Sequence, residues 1–482
     1  METMSKPLKT QVAVIGGGPG GYAAAFAAAD LGLEVTLIDL EKNPGGVCLY
    51  RGCIPSKALL HCAKVLKDAE EAAEWGIYFE KPRIELDRMR AQKNAVVEKL
   101  TGGLGQLTKA RKIRFLRGRA AYQGATTLRV TADTGEEQLI ECEQSILAAG
   151  SRPTSVPSLL IESPRMMNST AALEIEEVPK TLLVVGGGYI GLELGSVYAT
   201  LGSRVTLVEM TPSFLPGVDE DLRKILAERV GGLFHKKLFN TRVEKVKEVK
   251  NGLRVTFKSG EGKVFEETFE KVLTCVGRTP NSSGLGLNTT EVELDERGFV
   301  KVDAQRRTNV PSIFAIGDLA GNPMLAHKAS HEGRVAAEVI AGHNAVFEPR
   351  AIPAVVFTDP ELAWCGITET QARNEGRPVK VARFPWGASG RATTLSRPDG
   401  LTKLITDPDT DQVLGVGIVG TGAGELISQG VLAIEMGATA EDIGLSIHPH
   451  PTLSETVMES ADMIFGQSVH MYRPKGKDSP QA

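Results

Sequence analysis

The sequence predicts an α/β fold in which one parallel-sheet unit occurs twice, followed by a smaller unit of mixed helix and strand. Three observations carry this. The segment QVAVIGGGPGGYAAAFAAADLGLEVTLIDL, beginning at Gln11, aligns without a gap with TLLVVGGGYIGLELGSVYATLGSRVTLVEM, beginning at Thr181, so that 16 meets 186 and 39 meets 209. Each copy runs from a short apolar strand through a glycine turn into a helix, and out along a second apolar strand to an acid, the opening of a doubly wound sheet. From Ile352 the pattern changes to AVVFTDPELAWCGIT and GLTKLITDPDTDQVLGVGIVG, with a helical stretch from Ala423 to Met436, as in an antiparallel sheet flanked by helices.

Composition narrows the function classes. A chain of 482 residues is long enough for roughly three domains. With 55 Lys+Arg against 59 Asp+Glu and 5% aromatics, it has neither the basic surface nor the stacking residues of a general nucleic-acid binder. Its 52 glycines are about 11% of the chain against a usual ~7%, which places the excess in tight turns and close backbone approaches to ligands. Val12 to Ala29 is uncharged and follows Lys6 and Lys9, but Gly16, Gly17, Gly18, Pro19, Gly20 and Gly21 would break an apolar helix. Neither a membrane span nor an export signal is expected there. Six cysteines are sparse usage, as in a reducing compartment, so the expected location is the cytoplasm.

Between the two copies, Pro55 to Gly76 and Leu86 to Leu107 are helical in pattern. Ile113 to Thr131 shows short alternating runs broken at Gly118 and Gly124. SILAAGSRP, Ser145 to Pro153, closes the first region. Strand-like runs Leu253 to Phe257 and Val272 to Val276 lead to CVGRTPN, ending at Asn281, and IFAIGDLAG begins at Ile313. These breaks divide the chain at 1–152, 153–281, 282–350 and 351–470, with a polar tail at 471–482 expected to be loose.

In the first copy, Gly16, Gly18 and Gly21 satisfy G-x-G-x-x-G. The first glycine allows the turn, the second lets backbone approach a pyrophosphate, and the third permits close helix packing, while the helix N-terminus offers N–H donors. Asp39 is placed to accept a ribose hydroxyl. The second copy offers Gly186, Gly188 and Gly191 and ends in Glu209, whose carboxylate favours a 2′-hydroxyl over a 2′-phosphate. No Lys or Arg lies between Val205 and Leu222, so NAD is expected rather than NADP. Two Rossmann-type dinucleotide-binding domains follow.

GGVCLYRGCIPSK holds Cys48 and Cys53. On an ideal helix a five-residue spacing separates the Cα atoms by about 8.7 Å, beyond the ~7 Å reach of a disulfide, so a bridge requires irregular backbone, for which Gly52 gives freedom. A helix starting near Pro55 would lower the thiol pKa of Cys53 through its dipole. The pair reads either as two inert thiols or, shortly after a dinucleotide fingerprint, as a dithiol able to exchange electrons with a flavin. Cys62, Cys142, Cys275 and Cys365 are expected to be buried small hydrophobes. His448 and His450 sit in HPHPTLSE, with Glu455 five residues beyond His450. A carboxylate-held histidine is an oriented base suited to taking a proton from a thiol near neutral pH. No cysteine or histidine spacing suggests a metal site.

Taken together, the first fingerprint with GGVCLYRGCIPSK, the second fingerprint, IFAIGDLAG followed by PMLAHKA, and HPHPTLSE resemble the FAD-dependent pyridine nucleotide-disulfide oxidoreductases. The resemblance covers about residues 8 to 468, and within the family it is to the dihydrolipoamide dehydrogenase branch. It implies an FAD-binding domain (1–152), an NAD-binding domain (153–281), a central segment completing the FAD site (282–350) and a C-terminal α+β dimerisation domain (351–470). Cys48 would exchange with the substrate and Cys53 lie against the flavin. Lys57 and Glu193 match the family pair near the flavin and nicotinamide. Gly118, Gly150, Asp318, Met324, Leu325, Ala326 and His327 would join Gly16, Gly18, Gly21 and Asp39 at FAD, and Gly277 would join the second fingerprint at NAD. His450, oriented by Glu455, would be the base, contributed from the other subunit of a homodimer, with His448 structural. The implied reaction oxidises dihydrolipoamide on lipoyl domains of 2-oxo-acid dehydrogenase complexes with NAD+ as acceptor. Glutathione reductases and mercuric reductases are rivals, disfavoured by the acid at Glu209 and the absence of a terminal cysteine pair. A catalytically silent complex scaffold is disfavoured by the joint presence of Cys48, Cys53, His450 and Glu455. One departure stands out: Tyr50-Arg51 occupies positions where the family more usually has Asn-Val, which suggests that Arg51 lowers the pKa of a neighbouring thiol or alters substrate approach.

Overall fold

The computed structural model describes residues 6–472. The first region runs β1 (Leu8–Ile15), α1 (Pro19–Asp30), β2 (Val35–Asp39), α2 (Gly46–Arg51), α3 (Cys53–Glu71), α4 (Leu86–Ala110), β3 (Arg114–Arg117), β4 (Arg119–Gly124), β5 (Thr127–Thr131) and β6 (Glu137–Leu147). Its sheet has the order β3-β2-β1-β6-β5-β4, parallel from β3 to β6 and antiparallel at β5 and β4. Val12, Ala13 and Val14 of β1 are wholly buried, because helices cover one face and the β4–β5 side the other. Burial of the two valines contributes about 1.5–3 kcal/mol each.

The helix expected from Pro55 begins two residues earlier, at Cys53, and ends at Glu71, with one turn of 3₁₀ helix over Ala72–Trp75 before Gly76 turns left-handed. α4 continues to Ala110 through its glycines, and a methyl group on Gly105 would stand 2.3 Å from Asn43 Oδ1. A side chain at that position would thus require Asn43 on the β2–α2 loop to move.

The second region contains β7 (Ser151–Pro153), β8 (Met166–Met167), α5 (Ser169–Ala172), β9 (Thr181–Val185), α6 (Tyr189–Thr200), β10 (Arg204–Val208), α7 (Glu220–Leu233), β11 (Lys236–Leu238), β12 (Thr241–Val249), β13 (Gly252–Ser259), β14 (Val264–Phe269), β15 (Lys271–Thr274) and β16 (Arg278–Pro280). A parallel sheet of order β11-β10-β9-β15-β8 repeats the first architecture, and β12-β13-β14 form an antiparallel sheet beside it. β7 and β16 pair antiparallel, so the chain leaves and re-enters the first region along adjacent strands.

After that, β17 (Ile313–Ala315) adds to the first sheet beside β6, and α8 (Ala326–Ile340) packs on α1, where a methyl on Gly333 would meet Gly20 O at 2.5 Å. The C-terminal region has β18 (Ala354–Val356), β19 (Glu361–Gly366), α9 (Glu369–Asn374), β20 (Lys380–Pro385), α10 (Gly390–Thr394), β21 (Leu401–Thr406), β22 (Val413–Gly420), α11 (Ala423–Met436), α12 (Ala440–Leu445) and α13 (Glu455–Phe465). Its five strands form an antiparallel sheet of order β18-β19-β22-β21-β20, the sheet expected from the alternating runs. Of the tail expected to be loose, Met471 packs against this core, and residues 473–482 lie outside the described residues. Among the described residues, no helix is long and apolar enough to cross a membrane.

Candidate active site

Two glycine turns built alike open the site. Gly16 has φ +103°, and a Cβ there would meet Ala148 O at 2.4 Å; Gly186 has φ +111°, with Cys275 O at the same distance. Cβ atoms on Gly21 and Gly191 would fall 1.7 and 2.1 Å from the carbonyl oxygens of Gly16 and Gly186, so each helix rests on the turn that starts it. The middle glycines are different. Gly188 has nothing within 4 Å of its Cβ position, and Gly18 only the Cα of Gly46 at 3.9 Å. The N-termini of α1 and α6 have no side-chain cap and no acidic residue in the first turn. Open notches lined by unpaired N–H donors at the positive ends of 12-residue helices suit a pyrophosphate. This chain's residues therefore fit a dinucleotide at both turns.

The acids at the strand ends brace the turns. Asp39 Oδ2 accepts the Gly17 N–H at 2.5 Å and its Oδ1 the Glu41 N–H at 2.8 Å. Glu209 repeats the pattern, Oε2 accepting Gly187 N–H at 2.7 Å and Oε1 accepting Thr211 N–H at 2.8 Å. Burial raises the Asp39 pKa, opposed by the Gly17 and Leu40 N–H groups and by the Arg51 charge. Gly118 donates its N–H to Asp39 O at 2.9 Å, and Gly150 O accepts from Asn281 N at 3.0 Å. Asp318, just beyond β17, accepts from Ser151 Oγ, itself held by Arg278 Nε at 2.7 Å. Met324 and Leu325 lead into the start of α8 at Ala326 and His327, and the His327 ring bonds Pro353 O at 2.8 Å. Gly277, at φ +107°, is open except for Thr154 Oγ1 at 3.8 Å.

The cysteines straddle a break between helices. Cys48 lies in α2 and Cys53 begins α3, with Gly52 between them at φ −145°, ψ −114°. A Cβ on Gly52 would meet Val47 O at 2.9 Å, so glycine is required by the close approach that turns Cys53 back toward Cys48. Both thiols are free, Cys53 exposed and Cys48 partly buried. The Cys53 pKa is lowered to about 7, first by the hydrogen bond from Cys48 and, against shielding from water, by the Lys57 charge. Cys48 is pushed up, first by giving that hydrogen bond and then by burial. The neighbouring thiol, rather than the helix dipole alone, is thus the first cause of the Cys53 shift.

Beyond Cys53, Lys57 Nζ sits 2.8 Å from Glu193 Oε2 and 4.4 Å from the centre of the Phe357 ring. Glu193, on α6 and buried, also accepts Ser56 Oγ at 3.0 Å and Phe357 N–H at 3.1 Å, which ties the first region, the second and the C-terminal region together at one carboxylate. Sequence reasoning missed Ser56, Phe357 and Tyr189. Tyr189 follows Gly188 and lies within the field of Arg278, Asp318, Cys53 and Glu193, its pKa raised to about 12 mainly by burial. Its place at the start of α6 was the available signal; Phe357 gave none, because only folding brings it there. A buried triad was also missed: Glu332 takes Arg306 and Lys328 at 2.9 Å each and Gly317 N–H at 2.6 Å, directly behind Asp318.

His450 and Glu455 stand apart. His450 Nδ1 bonds Glu455 Oε1 at 2.9 Å, and the Thr452 N–H bonds Oε2 at 2.7 Å. Against burial, these partners hold Glu455 below the usual carboxylate range. The His450 side chain is 70% exposed, and neither residue is among the groups acting on Cys48 or Cys53. His448 bonds Gln429 at 2.6 Å. Arg51 is engaged by Glu41 on the β2–α2 loop and is not among the main causes of either thiol's shift. One expectation needs correcting. Cys142 and Cys365 are buried, but Cys62 and Cys275 only partly, since Cys62 lies on a solvent-facing part of α3 and Cys275 just past the end of β15.

Comparison with known proteins covers nearly the whole chain. The family model for pyridine nucleotide-disulphide oxidoreductases matches residues 10–333, and the model for the dimerisation domain of the same family matches 352–461, supporting a homodimer. The dihydrolipoyl dehydrogenase of Haemophilus influenzae is 49% identical, covering 98% of this chain and 99% of its own. That of Vibrio cholerae is 46% identical with the same coverage. The crystal structure of LpdA from Mycobacterium tuberculosis superimposes with a TM-score of 0.88 at 26% identity, covering 94% of this chain and 99% of that one. With two dinucleotide turns, a cysteine pair between them and a dimerisation region at the end, the chain belongs to the pyridine nucleotide-disulphide oxidoreductase family.

Proposed function

We infer that the chain oxidises dihydrolipoyl groups to the lipoyl disulfide and reduces NAD+ to NADH, with FAD between the two. The observation that carries this is a dithiol with one thiol held at about 7 and set against the Lys57–Glu193 pair, in a chain nearly half identical to dihydrolipoyl dehydrogenases over its length. FAD bound in the first cleft would take the electron pair from the dithiol and supply it as hydride to the nicotinamide. The notch at Gly18 and the N-terminus of α1 would hold its pyrophosphate, Asp39 its adenylate ribose, and Asp318 with the start of α8 its other half. Gly188 and Glu209 would hold NAD+, and the Lys57–Glu193 pair would sit between cofactor and nicotinamide.

In the oxidised enzyme a substrate thiolate attacks Cys48, the Cys48–Cys53 bond breaks, and Cys53 leaves as the stabilised thiolate. The second substrate thiolate then attacks the substrate sulfur bound to Cys48, which closes the lipoyl ring and frees Cys48. Two S–H bonds are lost and one S–S bond is formed; two electrons and one proton leave as hydride, and the second proton goes to solvent through the partner subunit's His450. The exposure of His450 and its bracing by Glu455 support a role across the dimer. The reading extends to lipoyl domains of 2-oxo-acid dehydrogenase complexes in the cytoplasm; the names of the relatives support its dihydrolipoyl substrate. The test is anaerobic NAD+ reduction by dihydrolipoamide with FAD-loaded protein, beside glutathione and NADP controls. NADH formation lost in Cys48→Ser is expected; no turnover despite bound flavin would refute the reading.

A further inference from the structure

The loop between β2 and α2 forms one wall of the first dinucleotide cleft. Asp39 starts it, Gly45 N–H bonds Gly17 O at 2.7 Å, and a methyl on Gly46 would stand 2.5 Å from Gly18 Cα, so the loop lies against the turn that receives the pyrophosphate. Two residues of α2 fasten this loop from the side of the thiols. Tyr50 OH donates to Asn43 O at 3.1 Å, and Arg51 pairs with Glu41. The Glu41 N–H in turn bonds Asp39 Oδ1 at 2.8 Å. The cation that the sequence sets between the two cysteines is therefore engaged at this loop.

We propose that Arg51, paired with Glu41, is a positioning residue that clasps the Asp39–Gly46 loop over the adenylate half of FAD and slows release of the cofactor. This rests on the FAD reading above. Asp39 and Gly45 both bond Gly17, so both ends of the loop rest on the fingerprint turn, and the Arg51–Glu41 pair ties the loop to α2, so displacing it requires the ion pair to part. The side chains of Arg51 and Glu41 are 41% and 26% exposed, so the pair is open to screening by salt.

The test is the rate of FAD release from the holoenzyme, followed by the rise in flavin fluorescence on large dilution into flavin-free buffer containing phosphodiesterase, which cleaves released FAD to the more fluorescent FMN and prevents rebinding. At low salt, Arg51→Val should release FAD roughly two- to fivefold faster, the size expected of a half-exposed pair. Arg51→Glu and Glu41→Arg should each be at least as fast, and the double swap should return toward the wild-type rate. In ~1 M KCl the wild type should approach the Arg51→Val rate, while the variant changes little. Thiol titration should be unmoved throughout. Equal release from wild type and Arg51→Val, or a double swap no slower than the single reversals, would overturn the clasp while leaving the cofactor reading intact. Wild-type protein that takes up no FAD would overturn both.

Discussion

The assignment of the thiolate to Cys53 makes a quantitative prediction. Its pKa lies at about 7, and the first cause is the hydrogen bond from Cys48. A hydrogen bond to a charged group contributes about 1.5–3 kcal/mol, which is about 1–2 pKa units at 1.36 kcal/mol per unit. In Cys48→Ala the donor is gone while Lys57 and the start of α3 remain, so Cys53 should titrate at about 8–9. At pH 7 its thiolate fraction would fall from about one half to about 1–10%, slowing alkylation roughly 5- to 50-fold. The assay is the pH profile of iodoacetamide labelling of reduced protein, read at the Cys53 peptide by mass spectrometry. Cys48→Ser, which keeps a donor, should lie between the two. The sign extends to stability. A folded-state value below the ordinary thiol value adds stability that is complete above the ordinary range and is lost as pH falls through about 7. Reduced wild type should therefore gain stability from pH 7 to 9 relative to Cys48→Ala. A Cys53 midpoint unchanged in Cys48→Ala would refute the hydrogen-bond argument and assign the shift to Lys57 and the helix terminus.

The glycine turns separate binding from folding. Gly188→Ala meets nothing within 4 Å and should fold normally yet lose at least tenfold in NAD+ affinity, measured by KM. Gly191→Ala would place a methyl 2.1 Å from Gly186 O and should also lower the melting temperature. Glu332→Gln leaves Arg306 and Lys328 buried without their carboxylate and should cost about 3–5 kcal/mol in thermal or urea unfolding, with FAD more easily lost because Gly317 is released. Lys403, 1% exposed, joins Asp219, Asp221 and Glu369 across the contact between α7 and the C-terminal sheet. Lys403→Met should destabilise by a similar ~3–5 kcal/mol, checked by denaturant midpoint at constant slope.

What the sequence determined by itself is what short-range patterns encode. The repeat at offset 170, the glycine spacings, the terminal acids Asp39 and Glu209, and the alternation beyond Ile352 are local, so strand, turn, helix and sheet type were all legible before folding. The cysteine pair was legible for the same reason, and so was the need for irregular backbone at Gly52. Tertiary structure decided everything that depends on residues meeting across the chain. Arg51 was legible as a cation beside two thiols, but only the folded β2–α2 loop brings Glu41 to it. Glu193 is one acid in a helix until Ser56, Lys57 and the Phe357 N–H converge on it from segments 137 residues before and 164 residues after. Glu332 has no local signal in the sequence, yet it is wholly buried between Arg306, Lys328 and Gly317, because β17 returns to the first sheet and carries α8 onto α1. Charges are attracted over distances that take no account of sequence separation, so their partners, and with them the poise of the thiols, are fixed only when the layers close.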